Sequence, residues 1–379
     1  MHAAPIIDGL YVHVPFCDGK CHYCAFYSVP YDRDLAEAWL ASLTKERQQA
    51  LEQYGLLPLT SIFMGGGTPS LLPPDQMERL LLSLRSMGQG AALEWTSEAN
   101  PGSLSLETLT MMKAFGVNRI SLGVQAMTDP VLSQLGRRHS VADIYAAVHA
   151  IQQSGITNWG LDLIACIPGV TERDWQNTLE AALKLEPKHI SVYALTQEEG
   201  TRLGRDCEAG VTALLDDDGQ LRMLDVAEAT LSAAGFVRYE ISNYARPGFE
   251  CQHNLSCWRG NNYLGLGCAA ASRVGDQRWT NRADINSYIA GDRHQDRETL
   301  SPITDAVERL VFGLRMSEGI NLDEILRITG TVQTPQAVIW EKNLERLGRD
   351  QLLERLSNHW RLTPKGRALA DHVAVELMP

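Results

Sequence analysis

Three cysteines crowd one short, aromatic-laced stretch: Cys17, Cys21 and Cys24 in PFCDGKCHYCAF. Three thiolates are one fewer than a closed tetrahedral zinc site, or an iron–sulfur cluster held by protein alone, requires. A cubane of four irons bound by three cysteines leaves one iron open to a further ligand, and chemistry can be done at that open iron. The spacing lets a compact loop wrap its sulfurs around one cluster. A zinc knuckle completed by His13 or His22, or a set of buried thiols, is the competing account. A cysteine cluster in a reduced, cytoplasmic setting favours metal over disulfide.

Other chemistry-bearing residues follow at intervals. Gly65-Gly66-Gly67-Thr68-Pro69 lacks the Lys-Ser/Thr of a phosphate-binding loop and the spacing of a dinucleotide fingerprint. Taken alone it reads as a strand-to-helix turn. Beside a metal loop, its exposed amides and carbonyls could approach a ligand closely. Glu98 and Asp162 are acids at buried strand ends, where a carboxylate needs a salt bridge (Arg119 or Arg137) or a cationic ligand. Gln125 and Arg137 add an amide and a guanidinium that could hold hydroxyl and carboxylate groups. His253 lies in YEISNYARPGFECQHNLSCWRGNNYLGLG, a stretch dense in aromatics and asparagine. It reads as a satisfied, partly buried histidine or as an axial ligand for a metalloporphyrin, and the local sequence favours the first. Cys166, Cys207, Cys251, Cys257 and Cys268 read as buried reduced thiols.

Through residue 245 the pattern alternates between short apolar or β-branched runs and helical periods. Runs fall at Leu10–Val14, Ser61–Met64, Leu93–Ser97, Arg119–Leu122, Asn158–Ile164, His189–Tyr193 and Val237–Ile241. Strand–helix alternation makes a parallel sheet, open or curled into a barrel. The cysteine loop, the glycine run, Glu98, Gln125, Asp162 and Tyr193-Ala194 each sit at or near the C-terminal end of a successive strand. Residues so placed converge on one barrel mouth, whereas a doubly wound sheet would gather them at one switch point. The sequence therefore predicts an α/β partial barrel over 1–245 and a loop-rich bridge over 246–303. Helices, a short hairpin and a last helix over 304–379 read as winged-helix-like.

Composition bounds the function. The formal net charge of −12 and a pI near 5.3 argue against a sequence-independent nucleic-acid binder. No apolar run approaches the roughly 18 residues a membrane helix needs, and the N-terminus shows no secretory pattern.

The motifs LYVHVPFCDGKCHYC, FMGGGTPSLL, SEANP, ISLGVQ, LGRRHS, LDLIACIPG and YEISNYARPG with its following His-Asn occur in order over about residues 10 to 270. Together they resemble the radical SAM family of coproporphyrinogen oxidase relatives, most closely its HemW branch of haem chaperones. The resemblance implies a partial (β/α)6 barrel with a 4Fe–4S cluster on Cys17, Cys21 and Cys24. It implies S-adenosylmethionine (SAM) against Tyr11, Gly66, Gly67, Thr68, Glu98, Gln125, Arg137 and Asp162, with Tyr23 leaning on the adenine. Phe26 stands where the true oxidase has a fourth cysteine, and only nine residues precede Leu10, so the chaperone branch is favoured. The alternative is oxygen-independent oxidative decarboxylation of coproporphyrinogen III. Departures fall in the porphyrin half, at HNLSCW (253–258) and GCAAAS (267–272). The expected partners are haem, a haem-acceptor protein and an electron donor, with peripheral contact to membrane respiratory proteins. His253 is the first candidate haem ligand, ahead of Cys257 and Cys268.

Overall fold

Alternation along the strands decides the architecture. The computed structural model describes residues 6–88 and 93–378; the first five residues of the N-terminal reading lie outside it. Six strands lie side by side in chain order: β1 (Gly9–Val14), β2 (Ser61–Gly66), β3 (Glu94–Ala99), β4 (Arg119–Gln125), β5 (Asn158–Ala165) and β6 (His189–Ala194). All five pairings between them are parallel. Successive side chains on a strand point to opposite faces. On one face Leu10, Val12, Ile62, Met64, Ile120, Leu122, Leu161 and Leu163 are buried in one hydrophobic core with Trp39, Leu80, Leu109, Ile144 and Trp175 of the crossover helices. On the other face Tyr11, Phe63, Thr96, Glu98, Ser121, Asp162 and Ser191 line the inside of the curve. A closed TIM barrel fills its interior with branched aliphatics. This lumen is polar instead.

Helix starts carry their own signals. Asp32 accepts from the Leu35 amide at the head of the helix Arg33–Tyr54. Thr171 and Asp174 form a capping box at the head of Glu172–Leu183. Thr363 caps the helix that begins at Pro364.

The region read as a loop-rich bridge contains ordered structure. After β7 (Val237–Arg238) and β8 (Asn243–Ala245), which extend one edge with β8 antiparallel to β6 and β7 antiparallel to β8, comes a helix over Gln252–Trp258. Then β9 (Tyr263–Leu266) pairs parallel to β1 on the opposite edge. Strands β10 (Ala271–Val274), β11 (Gln277–Asn281) and β12 (His294–Thr299) continue outward antiparallel. These strands are short and mix polar with apolar residues, so no local period announces them. Long-range pairing and one buried acid hold them. Glu46 accepts from the Gly267 amide (2.9 Å), the Asn281 amide group (2.7 Å) and the Tyr288 hydroxyl (2.5 Å). A carboxylate taken out of water is tolerated when its oxygens are this well supplied.

The last region has its own hydrophobic core, centred on Leu310, Trp340, Leu344 and Leu347. Helices Pro302–Gly313, Leu322–Thr329 and Pro335–Arg349 precede an antiparallel hairpin, Leu353–Leu356 with His359–Leu362. Arg273 on β10, 4% exposed, ties this region to the sheet through Asp305 and Glu308 of the first of those helices.

Candidate metal and cofactor site

The cysteine loop leaves the C-terminal end of β1 and is closed at its neck. Phe16–Cys17 pairs with Val29–Pro30, so the chain between them returns beside its start. Within it the Cys24 amide donates to the Cys21 carbonyl at 3.3 Å. All three thiols are partly exposed. Burial pushes the Cys17 and Cys24 thiols up, opposed at Cys17 by the Thr68 hydroxyl 3.7 Å from its sulfur. The Arg137 guanidinium lies 3.5 Å from the Cys21 sulfur. Among the described residues no three His, Cys, Asp or Glu side chains converge closely enough to hold a single metal ion. Three partly exposed thiols on one loop are a donor set that a multi-iron group with one open position would accept.

The glycine run forms the next wall. A Cβ on Gly65 would lie 2.5 Å from the Glu98 carboxyl carbon. Gly66 adopts φ +89°, and a Cβ there would meet the His13 ring at 2.3 Å. This cradle therefore requires glycine on both counts. The Gly66 amide donates to Glu98 at 3.1 Å. His13 gives its Nε2 proton to the Tyr27 carbonyl (2.9 Å), so its Nδ1 accepts from the Tyr11 hydroxyl (3.0 Å). Through that ring the glycine run and the end of the cysteine loop share one support.

Glu98 and Asp162 sit deep in the lumen yet keep part of their surface open to it. Burial, with the charge of Asp162, pushes Glu98 up to about 8. Asp162 is raised by burial against hydrogen bonds from Ser191 and Ser121 and the field of Arg119. The Ser121 hydroxyl donates to it at 3.2 Å. Neither acid has an ion-pair partner among the described residues, so the salt bridge offered for them is not formed. A cation entering the lumen would find two carboxyl groups uncommitted to protein charge.

Arg137, Asn100, Gln125 and Thr68 meet beside Gly123. Arg137 donates to the Gly123 carbonyl (2.6 Å) and the Asn100 amide oxygen (2.5 Å), and Asn100 donates to Thr68 (2.9 Å). Gln125 has φ +68° at a register shift in β4, and the Ala126 amide bonds back to Val124. A non-glycine residue held there costs roughly 1–3 kcal/mol, a strain found where a side chain must be aimed. Tyr23 rests against Arg137 and borders a cleft with Ile167, Pro168 and Leu195.

Of the residues read from sequence, the three cysteines, Tyr11, Tyr23, Gly66, Gly67, Thr68, Glu98, Gln125, Arg137 and Asp162 lie at this mouth or just inside it. His253 does not. Its Nδ1 bonds to Ser61 at 2.9 Å, at the opposite end of β2 from the glycine run. Its ring stacks on Phe63 at 5.3 Å and is 6% exposed, and burial with the field of Arg119 pulls it down to about 4. Cys251 and Cys268 are fully buried. Sequence reading passed over Asn100 as a site residue and offered His13 only as a zinc ligand, not as a support for the glycine run. Both stood in quoted motifs, but only folding shows that each bridges two site loops.

Residues 11–182 match the model of the Radical SAM superfamily and residues 300–369 that of the HemN C-terminal domain. Fold and mouth thus define a radical SAM protein with a HemN-type tail. Coproporphyrinogen III oxidase (HemN) from Escherichia coli, described as a radical SAM enzyme, superposes with a TM-score of 0.85 over 99% of this chain and 90% of that one, at 23% identity, a likeness of fold. "Heme chaperone HemW" of Synechocystis is 35% identical over 85% of this chain and 81% of its own. "Heme chaperone HemW" of Escherichia coli is 32% identical over 94% of each. The chain belongs to the HemW heme-chaperone family.

Proposed function

We propose that this protein is a haem chaperone that carries a 4Fe–4S cluster on Cys17, Cys21 and Cys24, binds SAM beside it, and delivers haem to haem-requiring proteins, respiratory ones among them. The observation that supports the cofactor half is the convergence of three open thiols, a glycine cradle and two unpaired buried carboxyls on one mouth. When bound, the cluster supplies the electron for reductive cleavage of a sulfonium at its open iron. The residues of this chain supply position and field. Glu98, held by the Gly66 amide, and Asp162, held by Ser121, give a cationic ligand its counter-charge. Gln125 and Arg137 present an amide and a guanidinium fixed by backbone strain and by Asn100. Tyr23 offers a ring face to the adenine.

The haem half is supported by the names of the relatives and by the fold they share. Phe26, 69% exposed, occupies the position of the oxidase's fourth cysteine, which favours a chaperone over oxidative decarboxylation. His253 as haem ligand has weaker support: its hydrogen bond to Ser61 and its stack on Phe63 describe a satisfied core ring. A cytoplasmic setting keeps the thiols reduced for ligation, an external donor provides the electron, and haem passes to an acceptor protein by direct contact. Among the described residues no helix is long and apolar enough to cross a membrane. Anoxic reconstitution followed by iron and sulfide analysis, then transfer of bound haem to an apo-acceptor, tests the reading. About four irons per chain and net transfer are expected. Formation of protoporphyrinogen from coproporphyrinogen would replace it with the oxidase.

A further inference from the structure

His22 stands between two cluster cysteines, and its bonds lead to a part of the chain that the radical SAM match, ending at residue 182, does not reach. Its amide donates to the Leu135 carbonyl (3.0 Å), and its carbonyl accepts from the Leu203 amide (2.7 Å). Its ring does the same in side-chain form. Nδ1 lies 2.9 Å from the Gln134 carbonyl, which can only accept, so Nδ1 carries the proton. Nε2 is then the lone pair that accepts from Arg202, also at 2.9 Å. The ring lies over Gly136, where a Cβ would come within 2.6 Å of it. Four hydrogen bonds thus stitch the middle of the cysteine loop between residues 134–135 and 202–203.

The second of those partners is a strap leaving β6. Thr201 caps its helix, Arg202–Glu208, by accepting from the Gly204 amide at 2.9 Å. Gly204 is required by close approach, since a Cβ would lie 2.4 Å from the Glu198 carbonyl. Arg202 is further steadied by Asp206 at 3.6 Å. Leu203 turns inward onto the main core, and with Asp206 and Thr212 it faces Tyr23, Ile167 and Leu195 across the cleft.

We infer that residues 198–212 form a strap that clamps the cysteine loop through His22 and supplies the outer wall of the base-binding cleft beside Tyr23, with Arg202 and Leu203 as positioning residues. The inference rests on the cofactor reading above. The clamp acts on the loop that carries Cys21 and Cys24, and the wall acts on the ligand's purine nucleoside end, away from its sulfonium.

The test compares wild-type protein with Arg202→Ala, Arg202→Lys and Thr201→Val after anoxic reconstitution. Iron loss to a chelator is followed by absorbance, and affinity is measured for SAM and for S-adenosylhomocysteine, which has the adenosine but no sulfonium. Arg202→Ala is expected to lose iron several-fold faster and to bind both ligands several-fold more weakly by the same factor. Arg202→Lys, which can still donate to His22, restores most of both. Thr201→Val, which loosens the cap, goes part of the way. Unchanged iron loss, or a loss of affinity confined to SAM, overturns the strap. If the wild type takes up no iron, the cofactor reading fails instead, and the strap is judged on apo protein. There Arg202→Ala, which removes the bond to His22, should speed tryptic cleavage at Arg205 several-fold, and an unchanged rate overturns the clamp.

Discussion

The mouth of the lumen and its floor are built from the same kinds of side chain, spent differently. At the mouth, Thr68, Asn100 and Arg137 bond to one another while the thiols, Glu98 and the amide of Gln125 keep faces open. At the floor, Glu94 accepts from the His253 amide (3.2 Å) and lies 3.6 Å from the Cys251 sulfur, and Ser61 holds the ring of His253. Polar groups that complete one another's bonds make a core; polar groups that support a neighbour and remain open make a site. Chemical type is the same in both places, so type alone does not separate them. Exposure does: the three cysteines, Glu98 and Gln125 are partly exposed, whereas Cys251, His253, Thr96 and Arg119 are buried.

The largest expected effect breaks the mouth outright. Cys21→Ser removes one of three thiolates, and reconstituted protein should lose the brown absorbance and nearly all its iron. A full iron complement would move the ligand set elsewhere.

Next in size is Glu98. A carboxyl held near 8 is mostly neutral at pH 7, so binding a cation must expel its proton. Affinity for SAM should therefore rise with pH between 6 and 8, by up to roughly tenfold per unit, and level off above that. In the unliganded protein the sign reverses for stability. The folded chain keeps a proton that the unfolded chain has released, so this group's contribution falls as pH rises from about 4.5 to 8. Glu98→Gln should weaken SAM by about 10–100-fold and flatten the pH slope. Isothermal titration across that range checks both, and a slope surviving in the variant would assign it to Asp162.

Gly66→Ala is a smaller, structural break. It places a Cβ against His13 and demands a positive φ, so it should cost about 1–3 kcal/mol of stability and lower SAM affinity in step, because the Glu98 donor moves. A thermal melt run beside the binding measurement separates the two effects. Stability lost with affinity intact would mean that this amide does not position the carboxyl.

Much of this was legible beforehand, for identifiable reasons. Strands β1 to β6 announce themselves because each has an apolar face packed on helices. The mouth was readable because parallel strands deliver their last residues to one side. What stayed hidden was non-local. Strands β9 to β12 show no alternating period, and the ends of β9 and β11 are tied through Gly267 and Asn281 to Glu46, more than 200 positions away. The unpaired state of Glu98 and Asp162 could not be foreseen either, since Arg119 and Arg137 were equally plausible partners until the register set them apart. His253 shows the converse case: a histidine in an aromatic, asparagine-rich stretch has the composition of a ligand site, but its partners are structural.

His253→Ala gives the smallest expected effect on the mouth and the sharpest test of that contrast. Removing the ring leaves Ser61 without its partner and opens a void against Phe63, so stability should fall by about 2–4 kcal/mol. Because Ser61 and Gly66 lie at opposite ends of β2, iron content and SAM affinity should stay within about twofold of wild type wherever the variant is folded. Haem affinity is the deciding measurement. If the ring is core, titration of the folded variant with haem gives an unchanged spectrum and an affinity within the same twofold. If the imidazole is the iron ligand, the spectrum shifts and affinity drops well beyond that, and the floor of the lumen would then be a second open site that only ligand entry exposes.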